Sequence, residues 1–105
     1  MKKISSFLFW FVSIACLQSQ SWAIPEPSLY ATRIDDIYFI NNQVGWIAAY
    51  SKIMKTTNGG MSWTTKLSTA DYLRSIEFSD DQNGFCGTLD GHFYKTTDGG
   101  ETWAD

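Results

Sequence analysis

A nine-residue stretch of this chain occurs twice, 40 positions apart. Lys55-Thr56-Thr57-Asn58-Gly59-Gly60-Met61-Ser62-Trp63 returns as Lys95-Thr96-Thr97-Asp98-Gly99-Gly100-Glu101-Thr102-Trp103, with six identities. The match extends upstream at an offset of 39. Ile37-Tyr38-Phe39 aligns with Ile76-Glu77-Phe78, and Gly45-Trp46 with Gly84-Phe85. One residue is therefore gained between Phe85 and Lys95, where Leu89-Asp90-Gly91-His92 stands against Tyr50-Ser51-Lys52. A hairpin turn absorbs such a change, and Asp-Gly between apolar runs is itself a turn signal. A period near 40 built from short strands is the signature of a β-propeller blade.

One repeat predicts the strands. Ser75-Ile76-Glu77-Phe78 alternates, with Ile76 and Phe78 on one face. Ser79 to Gly84 is a turn cluster. A second strand is expected over Phe85–Leu89, where Gly87 allows close packing, and a third over His92–Thr96. Thr97-Asp98-Gly99-Gly100 turns the chain, and Thr102-Trp103 opens a fourth strand. Four antiparallel strands make one propeller blade. The expected fold is all-β: blade 1 over 34–72 and an incomplete blade 2 over 73–105, with no helix after Ala23.

The first residues read as a leader. Met1-Lys2-Lys3 is basic, and Phe7–Leu17 is an uncharged apolar run of 11 residues. Ser21 and Ala23 are the small residues before a cut after Ala23. That order is a secretory signal peptide over 1–23, and the run is shorter than the ~20 residues of a membrane span. The expected product is exported, to the periplasm or beyond. Cys16 as a lipoprotein cysteine is the lesser alternative, because Ser13 stands where a leucine is usual. Pro25 and Pro27 mark an extended lead segment over 24–33.

Composition narrows the task. Eight basic residues against 11 acidic ones give a net charge of −3, which argues against nucleic acid as partner. One His and two Cys cannot complete a four-ligand structural zinc site, so neither metal nor cofactor is expected. Signal removal takes Cys16 and leaves Cys86 as the only thiol, read as a small buried strand residue. The remaining basic residues, Arg33, Lys52, Lys55, Lys66, Arg74 and Lys95, are scattered along the sequence and suggest no patch.

Thr96-x-Asp98-x-Gly100-x-Thr102-Trp103 resembles the Asp-box hairpin of bacterial neuraminidase repeats. The first copy, Thr56-x-Asn58-x-Gly60-x-Ser62-Trp63, carries Asn in place of Asp and Ser in place of Thr. The Asp or Asn side chain accepts hydrogen bonds within its own turn, glycine supplies positive φ, and tryptophan anchors the hairpin on the sheet. Asp98 is therefore read as turn-stabilising rather than as a catalytic acid or calcium ligand. Asn58 can keep the turn but cannot act as an acid.

The wider repeat, from Ile34 to Trp103, resembles the photosystem II assembly and stability factor family. The resemblance implies a seven-bladed propeller, a non-enzymatic role in protein assembly during photosynthesis, and an unspecified protein partner. It transfers no binding residue, because the basic residues here mark no patch. Similar blades occur in xyloglucanase-type glycoside hydrolases, so a fragment of a sialidase- or xyloglucanase-like hydrolase is the alternative. That chemistry needs two carboxylates flanking a cleft, about 5–10 Å apart. The candidates are Asp35, Asp36, Asp80 and Asp81, read as solvated turn and strand-end acids. His92 lies beside a turn without a nucleophile elbow, and Trp46 and Tyr50 are candidates for a sugar platform. Two repeats are fewer than the four to eight that close a propeller. The expectation is a truncated repeat array, with a self-assembling short protomer as its rival, and association through open apolar blade faces.

Overall fold

A computed structural model describes residues 33–105. The signal peptide, Cys16 and all but the last residue of the lead segment lie outside the described residues. The remainder is all-β, in two antiparallel meanders. The first sheet runs β1 (Asp36–Phe39), β2 (Gly45–Ala49), β3 (Lys52–Thr56) and β4 (Thr64–Ser68), paired in chain order. The second runs β5 (Leu73–Phe78), β6 (Gly84–Thr88) and β7 (Phe93–Thr96). A fourth strand is marked by a single bridge, in which Lys95 and Ala104 exchange backbone hydrogen bonds of 2.8 and 3.0 Å. Sheets of four and three strands match propeller blades.

Strand limits depart from expectation at both a tertiary contact and a local turn. β5 starts at Leu73 rather than Ser75. The Leu73 amide donates to the Tyr50 carbonyl of the first sheet at 2.7 Å, and its side chain is fully buried. β7 starts at Phe93 rather than His92, because the His92 amide closes the preceding turn on Thr88 Oγ1 at 2.9 Å. Thr102-Trp103 opens no strand, and pairing begins at Ala104.

The core lies between the sheets. Trp46 of β2 is 1% exposed and stacks on Phe78 of β5, with centroids 3.7 Å apart and planes inclined by 17°. Its Nε1 donates to the Gly99 carbonyl at 3.1 Å. Burying a side chain of this size stabilises by roughly 3 kcal/mol. The Asp36 carboxylate accepts from the Ile76 amide of β5 at 2.9 Å, pinning the two innermost strands. Glu101 accepts from Lys55 at 2.8 Å and from Lys66 at 2.6 Å. Those two lysines and their acid join the sheets at the outer edge.

Gly100 is required by this contact. Its φ is +78°, and a Cβ there would run into the Trp46 indole. Cys86 is buried in the same core. Burial first, then the nearby Asp36 charge, pushes its thiol up to about 12, so it is unreactive near neutrality.

Candidate functional site

The β1 and β5 strands begin at the same end of the two sheets, beside the β2–β3 turn and the β4–β5 connection. Four side chains from these elements gather around Asp35. Arg33 Nε lies 3.0 Å and Arg74 Nη1 3.4 Å from Asp35 Oδ1. Both guanidinium groups sit over the Tyr72 ring, at 5.8 and 5.7 Å from its centroid. Tyr50 meets Tyr72 edge-on at 4.7 Å.

Charge and exposure divide this cluster into a floor and a rim. The Asp35 side chain is 4% exposed, and its second oxygen is buried with no hydrogen-bond partner among the described residues. The side chains of Arg33 and Arg74 are 65% and 46% exposed. Asp35 is shared by the two arginines, and the Asp90 carboxylate lies beside the cluster, accepting from the Tyr72 amide at 3.4 Å. Arginine on an aromatic face presents a planar donor fork suited to carboxylates. Tyr50 is half exposed, and its φ is +54°. That conformation is uncommon for a bulky residue. It is held by the Leu73 amide on the Tyr50 carbonyl and by the ring contact with Tyr72.

This cluster corrects the reading of the basic residues as scattered. Arg33 and Arg74 come together because they flank equivalent strand starts, and Lys55 and Lys66 come together on Glu101. Only Lys52 and Lys95 of the six make no ion pair among the described residues. The overlooked signal was in the repeat itself. Asp35 aligns with Arg74, so neighbouring blades place opposite charges at one position.

The other candidate residues separate. Trp46 is buried between the sheets, whereas Tyr50 is exposed, so the two form no common platform. Asp35 is held by its arginines. Asp36 bonds the amides of Ile37 and Ile76. Asp80 accepts from the amides of Gln82 and Asn83 at 2.8 and 2.7 Å, and its carboxyl is held low, first by the Asn83 side chain. Asp81 stands in the same turn, exposed. His92 Nδ1 lies 3.2 Å from Asp71 and 3.3 Å from Asp105, at the rim of the second sheet. Asp71 also accepts from the Tyr94 hydroxyl at 2.6 Å, the leading cause of its lowered pKa.

The two repeated loops are built alike. Asp98 Oδ1 accepts from the Thr96 hydroxyl at 2.8 Å, the Glu101 amide at 3.1 Å and the Thr102 amide at 3.0 Å. Its Oδ2 accepts from the Thr102 hydroxyl at 2.5 Å. The Thr102 hydroxyl leads the causes that bring this carboxyl down to about 2. Asn58 Oδ1 accepts from the Thr56 hydroxyl and the Ser62 amide, and its Nδ2 donates to the Ser62 hydroxyl at 2.8 Å. Gly60 and Gly100 each receive an indole N–H on their carbonyl at 3.2 Å, from Trp63 and Trp103. Of the ten residues of the two motifs, Thr56 and Thr96 end β3 and β7, and the other eight follow those strands.

No protein-family model matches the chain, and no curated protein matches it. Solved structures do. The chain is similar to YCF48 bound to D1 peptide, at 26% identity and a TM-score of 0.65, over 77% of this chain. It is also similar to YCF48 from Cyanidioschyzon merolae, at 21% identity and a TM-score of 0.64, again over 77% of this chain. YCF48 is a β-propeller. The chain spans 28% of the length of either structure. The likeness establishes a propeller-like fold.

Proposed function

We propose that this chain forms two neighbouring blades of a non-enzymatic β-propeller that binds a protein partner outside the cytoplasm. The observation that carries the reading is the pair of half-exposed arginines over Tyr72, with Tyr50 beside them. Two guanidinium forks and two phenol rings on one rim suit an extended peptide bearing carboxylates and apolar side chains. The resemblance to a propeller solved with a bound peptide supports the same reading. So does the engagement of Asp35, Asp36 and Asp80 in internal bonds, which leaves those acids to structural work. Export through residues 1–23, blade limits at 34–72 and 73–105, and an Asp-box role for the two loops belong to this proposal. So does the inclusion of both blades in a larger propeller.

The test is a binding titration of the full chain with acidic peptides, and separately with the D1 peptide named in the solved relative. Arg33→Gln and Arg74→Gln should each weaken binding about tenfold, as expected for loss of one charged hydrogen-bonded contact. Binding should also fall with added salt. Binding that survives both substitutions, or that ignores salt, defeats this assignment.

A further inference from the structure

The β6–β7 turn is one residue longer than its counterpart between β2 and β3, with Leu89-Asp90-Gly91-His92 against Tyr50-Ser51-Lys52. The longer turn grips the β4–β5 connection at two neighbouring residues. The Leu89 amide donates to the Tyr72 carbonyl at 2.9 Å, and the Tyr72 amide donates to Asp90 Oδ2 at 3.4 Å. His92 Nδ1 lies 3.2 Å from Asp71 Oδ2. Tyr72 is the ring under both arginines, so this turn fixes the backbone that presents the ring to the rim.

One of these three contacts responds to pH. An imidazole gains or loses its charge between about pH 5 and pH 8, and the protonated ring donates from both nitrogens. His92 is the only histidine in the chain. The ionisable groups facing it are acids: Asp71 from the β4–β5 connection, and Asp105, beyond the Ala104 bridge, at 3.3 Å. Asp90, in the same turn, is taken up by the Tyr72 amide. Asp71 is anchored on its other side, where the Tyr94 hydroxyl donates to it at 2.6 Å and the Thr69 hydroxyl at 3.3 Å. It is therefore a fixed acceptor, and the charge on His92 sets the strength of the pair. Lys52 aligns with His92 at an offset of 40 and stays exposed although a further blade follows it. A following blade therefore leaves this edge open.

We propose that the β6–β7 turn is a pH-responsive clamp on the Tyr72 support, which tightens when His92 is protonated and pairs with Asp71. Acidic peptides then bind the arginine rim more tightly as pH falls. The effect on affinity rests on the peptide-binding reading above, whereas the clamp is a property of the free chain. His92 is a positioning residue, acting on the rim through Asp71 and Tyr72.

Hydrogen exchange of the Leu89 amide in the full chain tests the clamp, read as a protection factor so that the intrinsic pH dependence of exchange cancels. Protection should be about threefold higher at about pH 5.5 than at about pH 7.5, the scale of one exposed ion pair. His92→Gln and Asp71→Asn should each abolish the difference. Asp105→Asn should keep it, because Asp71 alone ties His92 to the connection. Affinity for an acidic peptide should rise about threefold over the same interval and stay flat in His92→Gln. The peptide's side-chain carboxylates are ionised at both pH values. Circular dichroism checks that each variant folds. Protection that ignores pH, or that still changes in His92→Gln, overturns the proposal. So does a chain that binds peptide with the same affinity at both pH values. A pH-dependent protection in a chain that binds no acidic peptide supports the clamp and defeats the peptide-binding reading, which keeps the two fates apart.

Discussion

Equivalent positions in the two blades have different fates. Ile76 is 1% exposed and Phe78 6%, whereas their counterparts Ile37 and Phe39 are 55% and 37% exposed. On the opposite face the order reverses: Trp46 and Ile53 are buried in the first blade, while Phe85 is half-buried and Phe93 exposed in the second. A repeat therefore does not decide burial by itself. The neighbour decides it, and apolar surface contributes stability only where another blade removes it from water.

Trp46→Ala gives the largest test of that contrast. It deletes the stack on Phe78 and the bond to Gly99, and should cost about 3–5 kcal/mol. Phe85→Ala, at the equivalent position on the open face, should cost about 1 kcal/mol. Urea melts of the two variants compare them, and equal losses would break the argument. Gly100→Ala comes next. Both Gly60 and Gly100 have positive φ, so alanine costs about 1 kcal/mol at either. At Gly100 the added methyl also displaces Trp46, for a further loss of about 1–3 kcal/mol, whereas at Gly60 the nearest atom is 3.5 Å away. A Gly60→Ala loss as large as that of Gly100→Ala would contradict the interface geometry.

Glu101→Gln should do less. Its two lysine bonds hold the carboxyl below its usual range, Lys55 leading, but the site is open to solvent. The loss should be about 0.5 kcal/mol and should shrink in high salt. The smallest effect is local to the loops. The folded-state pKa of Asp98 is depressed to about 2, below an unfolded value near ~3.9. Its stabilisation is complete above that unfolded value and is lost as pH falls through the folded one. The Thr102 amide should therefore lose hydrogen-exchange protection on going from about pH 4 to about pH 2. The Ser62 amide, held by the uncharged Asn58, should not. Asp98→Asn should make the two loops alike.

Much of this arrangement was legible beforehand. The offset of 39 to 40 located the strands, and the Thr, Asp or Asn, Gly and Trp spacing located both loops, because those interactions span four residues or fewer. Cys86 read correctly as a buried thiol. The arginine cluster was not legible. Arg33 and Arg74 lie 41 positions apart, and the alignment of Asp35 with Arg74 in the repeat does not by itself bring in Arg33. The start of β5 was missed for a related reason, since a hydrogen bond to Tyr50 of the first sheet set it, whereas that of β7 was set by the local turn on Thr88.

Local chemistry alone determined that this chain forms short antiparallel strands joined by glycine-rich turns, since alternation, positive φ and side-chain capping act within a few residues. Tertiary structure decided which aromatic face is covered, why Gly100 admits no side chain, and which charges meet. Those outcomes depend on where the second sheet sits over the first. Trp46 reaches across to Gly99, 53 positions away, and Asp35 to Arg74. No periodicity in the sequence encodes the separation of two packed sheets or the direction in which a long side chain crosses between them.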